Sequence, residues 1–270
     1  MIHQYKLMYS PVVVQHLEAP EFLRVIGDRR RWAILSQLAG SDRRVGELTE
    51  LVGERQNLVS YHLRELRDAG LVSSRRSSFD GRDTYYRLNV DRCGELFRGS
   101  AEALHSALRL VPSAMTSRRP SGRLPRVLFL CTGNSARSQM AEALLDSQSG
   151  HAIQSRSAGS HPKVLHPNSV RVMAERGIDI SSNTTTHLRR YAQNQFDYVV
   201  TLCDKVREVC PEFPGDPTRI HWSVPDPAAE GLDDEESYSL FEQTAAELEV
   251  RVAQLIAQLY ASQGGNTHAR

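Results

Sequence analysis

The fold of the second half of this chain is decided by one stretch, Val127-Leu128-Phe129-Leu130-Cys131-Thr132-Gly133-Asn134-Ser135-Ala136-Arg137-Ser138. The four apolar residues predict a buried parallel strand, Gly133-Asn134 predicts a turn, and residues 138–145 predict a helix. A loop between a buried strand and a helix N-terminus binds anions, because backbone N–H groups and the helix dipole present positive charge there. We therefore expect a tetrahedral oxyanion site in this loop.

Two side chains of the loop carry chemistry. The guanidinium of Arg137 can bind two oxygens of one oxyanion, and the positive surroundings favour the nucleophilic thiolate form of Cys131. An inert, buried Cys131 is the alternative. The backbone that would hold the anion belongs to Thr132, Gly133, Asn134, Ser135, Ala136 and Ser138.

The same residues resemble a known family. Cys131 and Arg137, six positions apart after an apolar strand, resemble the phosphate loop of the low-molecular-weight tyrosine phosphatase superfamily. Gly133-Asn134-Ser135 with Arg137-Ser138-Gln139-Met140-Ala141-Glu142 resembles its arsenate reductase branch more closely. The resemblance implies an α/β fold and a substrate that is arsenate or a phosphate-like oxyanion.

Length and charge indicate two different halves. A chain of 270 residues favours two domains. Residues 1–120 carry 19 Lys and Arg against 14 Asp and Glu, whereas residues 121–270 carry 14 against 18. A basic half beside an acidic half indicates a nucleic-acid-binding module joined to something else. We expect domains at 1–111 and 126–262, a flexible Pro- and Arg-containing linker at 112–125 that opposes a rigid link, and a tail at 263–270.

Several classes of protein are disfavoured by composition. No run of eighteen apolar residues predicts a transmembrane helix, and Val12-Val13-Val14 is too short for the core of a signal peptide. Four cysteines, one in a nucleophile loop, fit a reducing cytosol better than a disulfide scaffold. We expect a cytoplasmic protein with no membrane contact, no metal and no tightly bound cofactor.

The first half predicts a mainly α-helical, winged helix-turn-helix domain. Helices are predicted at 21–28, 29–39, 45–52, 56–69 and 91–110, and strands at 71–78 and 84–89 around the turn signal Asp80-Gly81. The fourth helix would enter the major groove, and the hairpin, called the wing below, would lie along the phosphates. A merely solvated charged face is the alternative. The predicted DNA contacts are Gln56, Asn57, Ser60, Tyr61, Arg64, Arg75, Arg76 and Arg82.

Part of this half closely resembles the ArsR family of bacterial repressors. The resemblance covers roughly residues 19–110 and rests on Arg55-Gln56-Asn57-Leu58-Val59-Ser60-Tyr61-His62-Leu63-Arg64-Glu65-Leu66-Arg67-Asp68-Ala69-Gly70-Leu71-Val72. It implies a homodimer, formed through the first and last helices, that binds operator DNA. Many members sense As(III) through clustered cysteines, but this half has only Cys93. Since one thiolate cannot supply such a site, either arsenite is not sensed in the usual way or sensing lies elsewhere.

The second half alternates strands and helices, which predicts a four-stranded parallel sheet. The predicted strands are 126–131, 152–158, 197–202 and 218–222, and the predicted helices are 137–148, 166–176, 204–209 and 237–260.

Two further signals lie downstream of the loop. A strand ends at Cys203, and Cys210 follows seven positions later, which on a helix places both thiols on one side. Asp226 lies between Pro225 and Pro227, which stiffen its loop. Both signals resemble the arsenate reductase branch that uses thioredoxin. A structural cysteine pair or zinc ligands are the alternatives, although no His or Cys at metal spacing accompanies them.

The resemblance implies a cysteine relay. Cys131 attacks arsenic, Asp226 protonates the departing oxygen, and Cys203 attacks the sulfur of Cys131. Cys210 then takes over the disulfide, which an external dithiol protein such as thioredoxin reduces. On an intact helix Cys203 and Cys210 lie about 10 Å apart, beyond the reach of a disulfide, so we expect that helix to unwind.

Two departures from the family pattern bear on the substrate. Ala136 stands where many relatives have a second loop cysteine, and Ala228-Ala229-Glu230 stand where phosphatases carry aromatic residues. The second departure favours a small inorganic substrate. We expect a repressor fused to a thioredoxin-coupled arsenate reductase. The alternatives are a low-molecular-weight protein tyrosine phosphatase fused to a regulator, and a pure regulator whose phosphatase-like half is a sensor.

Overall fold

The computed structural model describes residues 19–79, 81–105, 108, 123–228 and 233–264, which form two domains with separate cores. The N-terminal domain contains α1 (Glu21–Ile26), α2 (Arg29–Leu38), β1 (Arg43–Arg44), α3 (Val45–Val52), α4 (Gln56–Asp68), β2 (Val72–Arg76), β3 (Thr84–Leu88) and α5 (Val90–Leu104). Its strands form an antiparallel sheet in the order β1-β3-β2. The predicted winged helix-turn-helix is confirmed.

Helix α4 is held in this domain by one apolar face. Val59, Leu63 and Leu66 on that face are buried, as the sequence predicts. Gly53 ends the preceding helix α3 in the left-handed conformation with φ 70°, which glycine adopts without steric cost. Helix α5 ends at Leu104, and part of the helix predicted to extend to residue 110 lies outside the described residues.

The second domain is an α/β unit around a parallel sheet. It contains β4 (Arg126–Cys131), α6 (Arg137–Ser149), β5 (Gln154–Gly159), α7 (Pro167–Ala174), a 3₁₀ turn (Leu188–Tyr191), β6 (Tyr198–Thr201), α8 (Asp204–Glu208), β7 (Thr218–His221) and α9 (Asp234–Gly264). The four strands run parallel in the order β5-β4-β6-β7, so the predicted fold class is confirmed.

The sheet order places the site. Strand β4 pairs with β5 on one side and β6 on the other, so the connections diverge at its carboxyl end. Such a switch point forms a crevice where α/β proteins bind ligands. Residues 127–130 of β4 are fully buried, which explains their unbroken apolar run. Cys131 ends this strand at the crevice.

Two of the differences from the predicted helices concern the ends of α8 and α9. Helix α8 ends at Glu208, one residue before the predicted end at 209. Cys203 caps its start and Cys210 lies beyond its end, so the expectation that one helix places both thiols on one side is wrong. Pro211 disfavours helical backbone at the residue before it, which accounts for the early end. Helix α9 continues to Gly264, past the predicted start of the tail at 263, and residues 265–270 lie outside the described residues. Within the described part of the chain, no helix combines the length and apolarity needed to cross a membrane.

The two domains contact each other through a buried polar interface. Asp42 accepts two hydrogen bonds from Arg251, at 3.1 and 3.0 Å, and both side chains are only 5% exposed. The backbone N–H of Asp42 donates to the carbonyl of His221 at 2.8 Å. Further ion pairs between the domains are Arg44–Glu208, Arg75–Asp204, Arg87–Glu247 and Arg207–Glu47.

This interface corrects the expectation that a flexible linker keeps the halves from being rigidly linked. The domains are joined by their surfaces, whatever the path of the linker, of which residues 112–122 lie outside the described residues. The physical reason is charge complementarity between the two surfaces. Arg44, Arg75 and Arg87 of the basic half meet carboxylates of the acidic half, and Arg207 and Arg251 of the acidic half meet carboxylates of the basic half. Part of the basic charge that suggested nucleic acid therefore binds the neighbouring domain.

Candidate active site

Cys131 lies buried at the start of the loop between β4 and α6. Its Sγ accepts a hydrogen bond from the backbone N–H of Asn134 at 3.2 Å and lies 3.0 Å from Oγ of Ser138. The loop therefore wraps around the sulfur, and both groups can stabilise negative charge on it.

The loop peptides are oriented by the segment that follows β5. Three loop carbonyls accept hydrogen bonds from it, with Thr132 bound to His161, Gly133 to Lys163 and Ser135 to His166. In a trans peptide the N–H of the following residue points opposite to the carbonyl. The N–H groups of Gly133, Asn134 and Ala136 therefore point inward, away from that segment and toward the inside of the loop. The contact of the Asn134 N–H with Cys131 agrees with this direction. The loop thus presents donors where an oxyanion would bind.

Asn134 fixes the sharp turn of the loop. Its backbone has φ 48°, a left-handed conformation that costs energy in a residue with a side chain. Its amide donates to the hydroxyls of Ser138 and Ser157, both at 2.9 Å, and accepts from the N–H of Thr186 at 2.7 Å. These bonds stabilise the strained turn from three directions.

Gly159 is a site residue that the sequence reasoning missed. It ends β5 directly beside the loop, and a Cβ there would lie 2.6 Å from the carbonyl oxygen of Thr132 and 2.8 Å from the nitrogen of Asn134. Only glycine allows this close approach of two backbones. The sequence offered one weak signal, a glycine directly after the predicted strand 152–158.

Arg137 connects the loop to the Pro-flanked aspartate. It begins α6, is buried, and donates to the carbonyl of Val224 at 3.0 Å and to the carboxylate of Asp226 at 2.7 Å. Its Nε is buried and has no hydrogen-bond partner among the described residues. This donor suits an anion in the loop, whereas the side chain of Asp226 is half exposed.

Cys203 lies beside the loop of Cys131. It precedes α8, is buried, and its Sγ lies 3.2 Å from the hydroxyl of Thr132. Burial raises the pKa of the Cys203 thiol, and the charge of Arg137 partly offsets this effect. The structure thus brings a second thiol next to the nucleophile loop.

Cys210 lies beyond the end of α8 and is half-buried. Burial raises the pKa of its thiol as well, and the charge of Arg219 opposes this shift. All four cysteines are free thiols. Within the described ranges, no cluster of three His, Cys, Asp or Glu side chains could hold a metal ion.

The predicted DNA-contacting residues separate into two groups. Exposed on α4 and the wing are Gln56, Asn57, Ser60, Tyr61, Arg64, Arg76 and Arg82. Arg75 is instead half-buried against the second domain, where it binds Ser223 and Asp204. A contact of Arg75 with DNA would therefore require the domains to separate. Cys93 lies half-buried on α5, and burial raises the pKa of its thiol.

Two protein families match this chain. Residues 126–264 match the family described as low molecular weight phosphotyrosine protein phosphatase, and residues 28–74 match the family described as bacterial regulatory protein, arsR family.

Curated relatives match the second half. An arsenate reductase of Halalkalibacterium halodurans is 42% identical over 127 residues, which cover 47% of this chain and 91% of the relative. An arsenate reductase of Brevibacillus brevis is 46% identical over 102 residues, which cover 38% of this chain and 76% of the relative. A solved structure described as an arsenate reductase in the phosphate binding state is 29% identical, with a TM-score of 0.42, and covers 50% of this chain and 98% of that one. The chain therefore belongs to the low molecular weight phosphotyrosine protein phosphatase family and carries an arsR-family regulatory domain ahead of it.

Proposed function

We propose that this protein is a DNA-binding regulator fused to an arsenate reductase that converts arsenate to arsenite through a cysteine relay. The observation that carries the proposal is the pair of thiols at one loop, with Cys203 Sγ 3.2 Å from the hydroxyl of Thr132, the residue after Cys131. A phosphatase needs only the first thiol, whereas reduction needs a second one. Relatives named arsenate reductase support the same assignment.

The first proposed step joins substrate and enzyme. Arsenate has the shape and charge of phosphate and would be held by the inward N–H groups and by Nε of Arg137. The thiolate of Cys131 attacks arsenic, so an S–As bond forms and an As–O bond breaks. Asp226 protonates the departing oxygen, which leaves as water. An oxyanion that binds the guanidinium of Arg137 weakens the hydrogen bond from Arg137 to Asp226. The carboxyl group of Asp226 is then free to protonate the departing oxygen.

The second step reduces arsenic. The thiolate of Cys203 attacks Sγ of Cys131, an S–S bond forms, and the electron pair of the breaking S–As bond stays on arsenic. Arsenic goes from As(V) to As(III) and leaves as arsenite. Cys210 then attacks Cys203, which frees Cys131 and leaves a Cys203–Cys210 disulfide. A dithiol protein of the thioredoxin type reduces that disulfide, and a reducing cytoplasm would maintain the thiols.

Removal of Cys210 tests whether this residue passes the disulfide to the external reductant. We expect the Cys210→Ser variant to release one arsenite per chain and then stop, because the Cys131–Cys203 disulfide cannot be passed outward. The measurement is arsenite formed over time with thioredoxin, its reductase and NADPH, with Cys93→Ser as the matched control. Sustained turnover by Cys210→Ser would show that Cys210 does not pass the disulfide to the external reductant.

Phosphoester hydrolysis is the second candidate function. Cys131, Arg137 and Asp226 suffice for it, since water can complete a reaction in which Cys131 carries the phosphoryl group. Hydrolysis of p-nitrophenyl phosphate by wild type and by Cys203→Ser separates the two activities. Reduction requires Cys203, so arsenite release that is lost in Cys203→Ser supports the reductase. Aryl phosphate turnover without any arsenite release would favour the phosphatase.

The N-terminal domain is proposed to bind operator DNA as a homodimer through α1 and α5. Its exposed face on α4 and the wing supports the DNA-binding part of this proposal. We expect loss of Arg64, Arg76 or Arg82 to weaken binding uniformly across sequences and to reduce the salt slope by roughly one per phosphate contact. The measurement is affinity for a duplex of the promoter region at several salt concentrations. An unchanged slope in the triple Arg→Ala variant would reject this face.

A further inference from the structure

The wing inserts one charged side chain into the second domain. Arg75, on β2, donates from Nε to the carbonyl of Ser223 at 2.9 Å and from Nη2 to the carboxylate of Asp204 at 3.0 Å. Nη2 also bonds the hydroxyl of Ser223. The side chain of Asp204 is 1% exposed and that of Arg75 is 28% exposed. One guanidinium therefore links two segments of the other domain.

The first of these segments carries the second thiol. Asp204 follows Cys203 directly and begins α8. Its carboxylate also accepts from the hydroxyl of Ser223 at 2.7 Å and from the N–H of Ser78, another wing residue, at 2.9 Å. Burial alone would raise the pKa of Asp204, but its hydrogen bonds and the charge of Arg75 outweigh burial and hold the pKa well below its usual range. The residue after Cys203 is thus a buried carboxylate tied to the wing.

The second segment leads to the aspartate of the site. Ser223 lies three residues before Asp226, and its N–H donates to the carboxylate of Asp42 at 2.8 Å. The next carbonyl, that of Val224, accepts from Arg137. The loop carrying Asp226 is therefore fastened by Arg137 on one side and by the N-terminal domain on the other.

We propose that Arg75 is a positioning residue of the reductase site, holding Asp204 beside Cys203 and Ser223 ahead of Asp226. This inference rests on the proposed function for its kinetic part only. Arg75 contacts neither the oxyanion loop nor a reacting sulfur, so it acts through the two segments. Its loss lowers kcat and leaves the KM for arsenate nearly unchanged.

The test uses the full-length reduced protein. Alkylation of each cysteine by iodoacetamide is followed by mass spectrometry, and kcat and KM are measured for arsenate. In Arg75→Ala we expect Cys203 to be alkylated about tenfold faster and kcat to fall about tenfold. Loss of Arg75 displaces Asp204 and with it the neighbouring reacting thiol of Cys203. Arg75→Lys is expected to be intermediate, since Lys keeps the charge beside Asp204 and loses the forked contact to Ser223. The matched control is Arg30→Ala, which removes an ion pair with Glu54 inside the N-terminal domain and should match wild type.

The outcomes separate this inference from the proposed function. If wild type reduces no arsenate, the proposed function fails, and the alkylation rates still decide the role of Arg75. The inference is overturned if the rate of Cys203 alkylation and kcat in Arg75→Ala both lie within about twofold of wild type, since misplacement of a reacting group lowers the rate far more than twofold. This criterion holds whether or not Arg75→Ala also weakens binding to a 30-base-pair duplex of random sequence. If Arg75→Ala does not fold, Arg75→Lys decides by the same criterion.

Discussion

The Cys131→Ser variant is expected to lose at least about a thousandfold in arsenate reduction, because a serine hydroxyl is not ionised near neutral pH and cannot form the S–As bond. The measurement is arsenite released in the presence of thioredoxin, its reductase and NADPH. Cys93→Ser, the same substitution on α5 of the other domain, serves as the control and should retain wild-type turnover. Arsenite release by Cys131→Ser within about tenfold of wild type would remove Cys131 as the nucleophile.

The second large effect concerns stability. Arg251→Ala is expected to lower the free energy of unfolding by about 3–5 kcal/mol, since it leaves the carboxylate of Asp42 buried without its ion-pair partner. Arg251 also bonds Glu247 at 2.9 Å and lies over the ring of Trp222, so packing is lost as well. The measurement is urea denaturation followed by circular dichroism and by tryptophan fluorescence.

An exposed ion pair provides the control for this prediction. Arg92 and Glu95 are paired at 3.1 Å with both side chains about half exposed, so Arg92→Ala should cost less than about 1 kcal/mol. Because the buried pair joins the domains, wild type should unfold in one transition and Arg251→Ala should separate the domain transitions. A loss below about 1 kcal/mol in Arg251→Ala would show that the interface contributes little to stability.

The sequence predicted the parts of the molecule that depend on local pattern. The apolar run of residues 127–130 predicted β4 because a strand buried on both faces has no polar positions. The apolar stripe of α4, which is buried on one face only, and the turn signal Asp80-Gly81 predicted the winged helix. Cys131 and Arg137 were predicted to lie at one anion loop, and the structure places both there.

The interface between the domains could not be predicted in this way. Asp42 and Arg251 lie more than two hundred positions apart, and the type of a charged residue does not reveal its partner. Arg75 was therefore assigned to DNA from its place on a basic hairpin, whereas the fold turns it toward Asp204. Gly159 escaped notice because its importance depends on how closely two backbones approach.

We expect arsenate to be reduced by electrons from the protein's own thiols. Fully reduced protein is mixed with arsenate in the absence of any external thiol, and arsenite and disulfides are quantified, the latter by peptide mapping. We expect one arsenite per chain, with a disulfide between Cys203 and Cys210 and a free thiol at Cys131. Unchanged thiols and no arsenite after prolonged incubation would contradict it.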